Sequence, residues 1–226
     1  MASAAKPAIN HQRTTELAQE ILKAMLRRYS DDKGFLDEKH SKEGLIFRCA
    51  GSISILLLVN AFKELQAEVG WIEIVTREFQ MVVAHVKEKG YDATPLLEEG
   101  FTRDIFSPAA KPQRAYLDSV SWVLSFAIQM WYALWTGRLG HTKGSPEYKK
   151  HQSTIAETVS STLQIICKAC CPQGGWGFAT QCTEPNLYYS YAVSEGLADF
   201  SITRSNRPLR DWKVWPLKTS FRPLLR

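Results

Sequence analysis

The sequence predicts an all-α domain of about six helices, arranged as three helical hairpins. Apolar residues recur through most of the chain at the 3.6-residue period of an amphipathic helix. Glycine stands next to an aromatic residue after a helix at three places, and glycine lets the backbone reverse direction there. The chain is 45% apolar and 23% charged, which is typical of a globular protein and not of a disordered one.

The first half of the chain carries three predicted helices. Thr14 or Thr15 is a suitable cap for the first of them. The run Ile53–Val59 has the composition of a buried strand, but the helical pattern continues through Leu65 and favours a helix. The connection 91–114 is rich in proline, glycine and acids, and loops of this length are usually functional or disordered. The three helices are expected at about 14–29, 50–69 and 72–89.

Three further helices are predicted in the second half. Ser119–Gly137 is a run of 19 residues without a charge, which is close to the length of a membrane span. Its serines, its glutamine and its many aromatic residues favour a helix that is buried on all sides. Ser145 and Pro146 suit the cap and the first turn of the next helix, and Pro172 helps to stop it. These helices are expected at about 116–135, 146–170 and 185–200.

Charge is distributed unevenly along the chain. Residues 1–12 are expected to be disordered, 13–203 to form the helical-hairpin domain, and 204–226 to form a basic tail that contains proline and tryptophan. Seven Lys and Arg against one acid, Asp211, give this tail a charge of +6, so the other residues sum to −1 of the formal +5. The tail is therefore one candidate for binding nucleic acid, and a solvated arm is the plainer alternative.

The cysteine pattern favours reduced thiols. The number is odd, and no apolar secretory segment occurs in 1–10, so a cytoplasmic localisation is expected. Cys167 and Cys170 have the spacing of a zinc knuckle, but a second pair is missing. Buried, unreactive thiols are therefore favoured over a metal site, and no cofactor is expected. The five cysteines are Cys49, Cys167, Cys170, Cys171 and Cys182.

No catalytic residue is expected, because the sequence contains no recognisable catalytic motif. The five histidines fall in no recognisable motif, and a Gly-x-Ser-x-Gly elbow does not occur. The glycine-rich stretch 174–177 lacks the Lys-Ser/Thr of a phosphate loop. Glu195 and Asp199 share a helical face, which suits an acid/base pair but more often marks a solvated stripe. The sequence therefore favours a non-enzymatic function over an enzymatic one.

The three glycine-aromatic turns form a weak internal repeat. They lie at 34–35, at 90–91 with 100–101 further on, and at 175–176. The third turn reads Gln-Gly-Gly-Trp-Gly-Phe and precedes a helix of small residues. It resembles the turn of α,α-toroid proteins, a superfamily that includes terpene cyclases and protein prenyltransferase β-subunits. The resemblance is best over 170–200. The Asp-x-Asp-Asp motif of the cyclases is absent, and six helices make about half of a toroid, so an arc fits as well as a ring.

The resemblance implies that the N-terminal ends of the inner helices face a central cavity. Two functions are consistent with such an architecture. A non-enzymatic module that recognises a protein or peptide is favoured, because arrays of hairpins offer extended concave surfaces. The alternative is an enzyme or small-molecule binder with an aromatic cavity that contains acids. Neither the oligomeric state nor the identity of a partner follows from the sequence. The residues that the resemblance places in the cavity are Tyr116, Asp118, Glu184, Asn186, Tyr188, Tyr189 and Glu195.

Overall fold

The computed structural model describes residues 11–30, 34–35, 45–91, 116–177, 180 and 182–205. Within these ranges the fold is all-α, which confirms the predicted fold class, and the run Ile53–Val59 is helical. Three segments for which the sequence makes predictions lie outside the described residues. They are the N-terminal residues, the connection after the third helix and nearly all of the basic tail. The elements are α1 (His11–Arg28), α2 (Leu45–Ala61), a short 3₁₀ helix (Lys63–Ala67), α3 (Trp71–Lys89), α4 (Leu117–Trp135), α5 (Pro146–Lys168) and α6 (Leu187–Ser205).

The boundaries of α1 and α2 differ from the expectation for local reasons. The Thr15 hydroxyl donates to the carbonyl oxygen of His11 at 2.9 Å, so Thr15 lies inside α1 and does not cap it. The second helix begins earlier, at Leu45, which is buried. It also ends earlier, because Phe62 adopts an extended conformation (φ −120°, ψ 110°) before the 3₁₀ helix. Leu65 of that 3₁₀ helix is buried, so the apolar pattern continued although the α-helix did not.

Helix α4 lies at the centre of the fold. It packs against α2, α3, α5 and α6. Of its 19 residues, 14 are buried, which explains its long uncharged run, since few positions remain in contact with water. No helix among the described residues combines the length and the apolarity that crossing a bilayer requires.

Helices α2, α4 and α6 lie side by side, with α4 between the other two, and we call these three helices the inner row. The Asn60 amide donates to Gln129 Oε1, near the C-terminal parts of α2 and α4. Gly196 of α6 lies against Ser121 of α4, while Tyr189 lies near the N-terminal end of α4. The three helices therefore run in the same direction. Helix α1 packs on α2, α3 packs on α2 and α4, and α5 packs on α4.

Small residues bring α6 close to α4. A Cβ atom on Gly196 would lie 3.3 Å from the Ser121 carbonyl oxygen and 3.6 Å from Leu124 Cδ2. We therefore expect Gly196→Leu to lower the free energy of unfolding by roughly 1–3 kcal/mol, because the larger side chain must push the two helices apart. Urea unfolding followed by circular dichroism measures the change. The matched control is Ser194→Leu, at an exposed position of the same helix. An equal effect of the two substitutions would contradict the close approach.

A buried ion pair joins α2 to α3. The Glu78 side chain has no solvent exposure and that of Arg48 is 16% exposed. Arg48 Nη1 donates to both carboxylate oxygens of Glu78, at 2.9 and 3.0 Å. The Tyr29 hydroxyl donates to the same carboxylate at 3.0 Å. Burial, and then the charge of Glu78, raise the pKa of Tyr29 to about 12.

The first glycine-aromatic turn docks on the helix that follows it. Ser30 and Gly34 exchange two backbone hydrogen bonds, and Gly34 has a φ of +65°, which suits glycine. The Phe35 ring lies 5.1 Å from the Tyr29 ring, measured between centroids. A Cβ atom on Gly51 of α2 would overlap the Phe35 ring. Gly51 therefore provides the space into which the aromatic residue of the turn packs.

The other two turns also contact the next inner helix or the residue directly before it. The backbone N–H of Tyr116, directly before α4, donates to the Tyr91 carbonyl at 2.9 Å. In the third turn the Trp176 indole donates to the Ile166 carbonyl at 2.8 Å, which ties the turn back to α5. The Trp176 backbone N–H donates to Ser190 Oγ at 2.9 Å, and Ser190 Oγ donates to the Trp176 carbonyl at 3.1 Å. This last pair of bonds joins the third turn to the first turn of α6.

Candidate functional site

A groove opens across the inner row of helices. Its volume is about 380 Å³, which lies within the range typical of ligand sites. One residue comes from α2, three come from α4 and the rest come from α6. We call this feature the inner groove. Its lining residues are Ile53, Ser121, Trp122, Ser125, Tyr188, Tyr191, Ala192, Glu195, Gly196 and Ala198.

Helical periodicity places the larger α6 side chains of the inner groove on one face of that helix. Tyr188, Tyr191 and Glu195 are spaced i, i+3 and i+7, so they share one face of α6. Both tyrosines are 60% exposed, which is unusual for such large side chains in a packed fold. Trp122 of α4 lines the same groove. Small residues such as Ala192 line the groove together with these aromatic residues.

The inner groove carries one negative charge. Glu195 is the only charged residue in the described lining. The Tyr191 hydroxyl donates to Glu195 Oε1 one helical turn away. This hydrogen bond, and next the negative charge of Glu195, raise the pKa of Tyr191. The carboxylate is thus held beside an aromatic ring, and no cation belongs to the described lining.

Of the seven residues expected in a cavity, Tyr188 and Glu195 line the inner groove. Three others gather at the N-terminal ends of α4 and α6. Asp118 is 2% exposed and accepts a hydrogen bond from the Ser119 backbone N–H at 2.7 Å. Burial raises its pKa to about 6. The pKa of Tyr189 is raised to about 12, first by burial and then by the charge of Asp118, with a smaller contribution from Tyr116.

The remaining two expected residues belong to the loop before α6. Asn186 Oδ1 accepts a hydrogen bond from the Tyr188 backbone N–H at 2.9 Å, and its own N–H donates to the Trp176 carbonyl at 2.9 Å. Asn186 therefore caps α6. Glu184 is exposed and does not line the inner groove. The structure thus divides the expected set among the groove, the N-terminal ends of two helices and a loop.

Several groove residues were not selected from the sequence. Trp122, Ser121 and Ser125 belong to the uncharged helix, for which burial on all sides was expected. Trp122 and Ser125 are only partly buried, because α2 and α6 leave this strip of α4 uncovered. Tyr191 lies three residues after Tyr188, so the helical period could have selected it. Nothing in the sequence distinguishes Trp122 from the buried aromatic residues of α4.

A second cavity, of about 520 Å³, lies between the start of α3 and the turn that joins α4 to α5. Its most distinctive contact is the stacking of His141 on His151, with ring centroids 4.8 Å apart. Burial, and then the neighbouring His141, lower the pKa of His151. No group of three or more His, Cys, Asp or Glu side chains in the described part of the chain could hold a metal ion. The five cysteines are free thiols.

Comparison with protein-family models, with curated proteins and with solved structures finds no match for this chain.

Proposed function

We propose that this chain is a non-enzymatic interaction module that binds a protein or peptide partner in the inner groove. The exposure of Tyr188 and Tyr191 beside Trp122 is the observation that supports this most. Tyrosine and tryptophan are enriched at the energetic centres of protein interfaces, because they bury large areas at a small cost in conformational entropy. Two exposed leucines, Leu57 of α2 and Leu187 of α6, add apolar area on the inner helices.

The polar groups of the groove favour binding over catalysis. The Ser121 hydroxyl donates to the Leu117 carbonyl at 2.7 Å, so its proton is already engaged. No histidine belongs to the described lining, and a nucleophilic serine needs such a base within hydrogen-bond distance. Glu195 is the one carboxylate in that lining, whereas acid/base chemistry on paired carboxylates needs a second. These observations support recognition as the role of the groove.

The arrangement of the helices also supports a binding role. Three parallel inner helices flanked by α1, α3 and α5 suit an open arc of α,α-hairpins, and such arcs bind partners along their inner surface. The close packing of Gly196 on α4 supports a rigid groove, which lowers the entropic cost of binding. The free thiols support a reducing compartment such as the cytoplasm.

Selection from a phage-displayed library of random short peptides tests the proposal. We expect the full chain to select peptides that bind it reproducibly. Ala192→Arg should weaken their binding about tenfold or more, equivalent to about 1.4 kcal/mol, because the long side chain fills the groove. Titration by calorimetry, with variant folds checked by circular dichroism, gives the affinities.

The matched control is Ser194→Arg, which adds the same charge to the same helix outside the groove lining. It should leave peptide binding unchanged. Peptides that bind the Ala192→Arg variant as tightly as the unmodified chain would contradict the proposal, and so would a selection that yields no binders.

A further inference from the structure

We infer that the inner groove recognises a trimethylated lysine side chain on the partner polypeptide. This inference rests on the proposed function, since it names the chemical group that the groove would hold. Its basis is one juxtaposition: three aromatic residues and a carboxylate, from two helices, line a single open groove.

The aromatic residues provide the first part of the recognition. Trp122 comes from α4, and Tyr188 and Tyr191 come from α6. The face of an aromatic ring is negative because of its quadrupole, so it attracts a cation within about 6 Å of its centroid. Aromatic residues from two helices that line one groove can therefore contact a single positive group. Neutral apolar ligands would gain contact area from these rings but not this electrostatic attraction.

The carboxylate provides the second part. Glu195 gives the described lining a charge of −1, and Tyr191 holds it through a hydrogen bond. A ligand of the opposite charge is thus complementary to the groove. Because this carboxylate accepts a hydrogen bond from Tyr191 on one side, its charge stays beside the aromatic rings.

The small residues of the groove favour a methylated ammonium over a free one. Beside the acceptors of Ser121, Ser125 and Glu195, the lining includes Ala192, Gly196 and Ala198, which offer apolar surface and no side-chain acceptor. An unmodified lysine ammonium is strongly hydrated and needs acceptors for its three N–H donors. Trimethylation removes those donors and keeps the charge. Its methyl groups can then pack on the alanines while the charge faces the rings.

Three peptides of identical sequence test this assignment with the full chain. They are acetyl-Gly-Ser-X-Ser-Gly-amide, where X is trimethyllysine, unmodified lysine, or the neutral isostere with carbon in place of the charged nitrogen. We expect the trimethyllysine peptide to bind about tenfold more tightly than either of the others, as measured by saturation-transfer NMR titration. Equal affinity for the neutral isostere would overturn the inference, because contact area alone would then explain binding.

Two substitutions locate the interaction. Tyr188→Leu and Glu195→Gln should each weaken binding of the trimethyllysine peptide by about 2- to 5-fold, and leave binding of the isostere nearly unchanged. The matched control for the carboxylate is Glu184→Gln, an exposed acid outside the groove lining, which should have no effect. The same loss in Glu184→Gln as in Glu195→Gln would overturn the inference, since it would indicate a general effect of surface charge.

The experiments separate this inference from the proposed function. Display-selected peptides that are weakened by Ala192→Arg, together with no preference for trimethyllysine, would overturn only the inference. Absence of peptide binding of any kind would overturn both. Tetramethylammonium chloride is the last probe. If it binds as tightly as the trimethyllysine peptide, the ligand is a free alkylammonium ion, and the assignment to a partner polypeptide is overturned.

Discussion

Replacing Arg48 with Met is expected to lower the free energy of unfolding by about 3–5 kcal/mol. The substitution removes the guanidinium that donates to both oxygens of the fully buried Glu78 carboxylate. Tyr29 still donates to that carboxylate, but a neutral phenol does not compensate a buried charge. Urea unfolding near neutral pH, with the Arg48→Met variant and the unmodified chain side by side, measures the loss.

Two further variants show whether the buried charge is the cause. Lys23→Met removes an ion pair of 3.4 Å between Lys23 Nζ and Glu68, in which the lysine is 48% exposed. Such a surface pair contributes at most about 1 kcal/mol, so this variant should remain close to the unmodified chain. The double variant Arg48→Met/Glu78→Met should recover most of the lost stability, because no charge is then left buried. A loss in Arg48→Met no greater than that in Lys23→Met would contradict the prediction.

Asp118→Asn is expected to raise the free energy of unfolding by about 3 kcal/mol near pH 7.5. Asp118 is almost fully buried, and burial raises its pKa from 3.8 to about 6. Folding therefore favours the protonated carboxyl, and its contribution to stability is fully present below about pH 4 and lost as the pH rises to about 6. Above that pH the folded state carries a buried charge that costs about 3 kcal/mol, which follows from the difference between the two pKa values.

The pH dependence makes this prediction specific. The two stability curves should converge below about pH 4, where the aspartate is protonated in both the folded and the unfolded chain. An asparagine oxygen can still accept the hydrogen bond from the Ser119 backbone N–H, so the local geometry is preserved. Glu184→Gln serves as the control for removing one acid from an exposed position. A variant less stable than the unmodified chain near pH 7.5 would show that the Asp118 charge stabilises the fold.

The helices themselves follow from local patterns. Ser145 accepts a hydrogen bond from the Tyr148 backbone N–H, and Pro146 occupies the first turn of α5, as the sequence predicted. The uncharged run 119–137 predicted a helix buried on all sides, and 14 of the 19 residues of α4 are buried. The end of α2 was missed, because the apolar period continues through the 3₁₀ helix while Phe62 becomes extended. Hydrophobic periodicity does not distinguish these two outcomes.

The composition of the groove depends on contacts between helices, which a single sequence does not specify. The helical period places Tyr188 and Glu195 on one face. It does not show that Trp122 of another helix lines the same groove, because that depends on how closely Gly196 approaches Ser121. Similarly, no local pattern pairs Arg48 with Glu78, which are 30 positions apart and lie on two different helices.

The turns that dock on the next inner helix have a consequence for the order of assembly. Trp176 bonds to Ser190 only 14 positions later, and Phe35 packs on Gly51 at a similar separation, whereas Asn60 and Gln129 are 69 positions apart. Closing a short loop costs less chain entropy than closing a long one. We therefore expect each turn to join its own helix early, and the inner helices to meet one another last. The inner groove, which needs three of those helices, then comes into existence only in the final stage of folding.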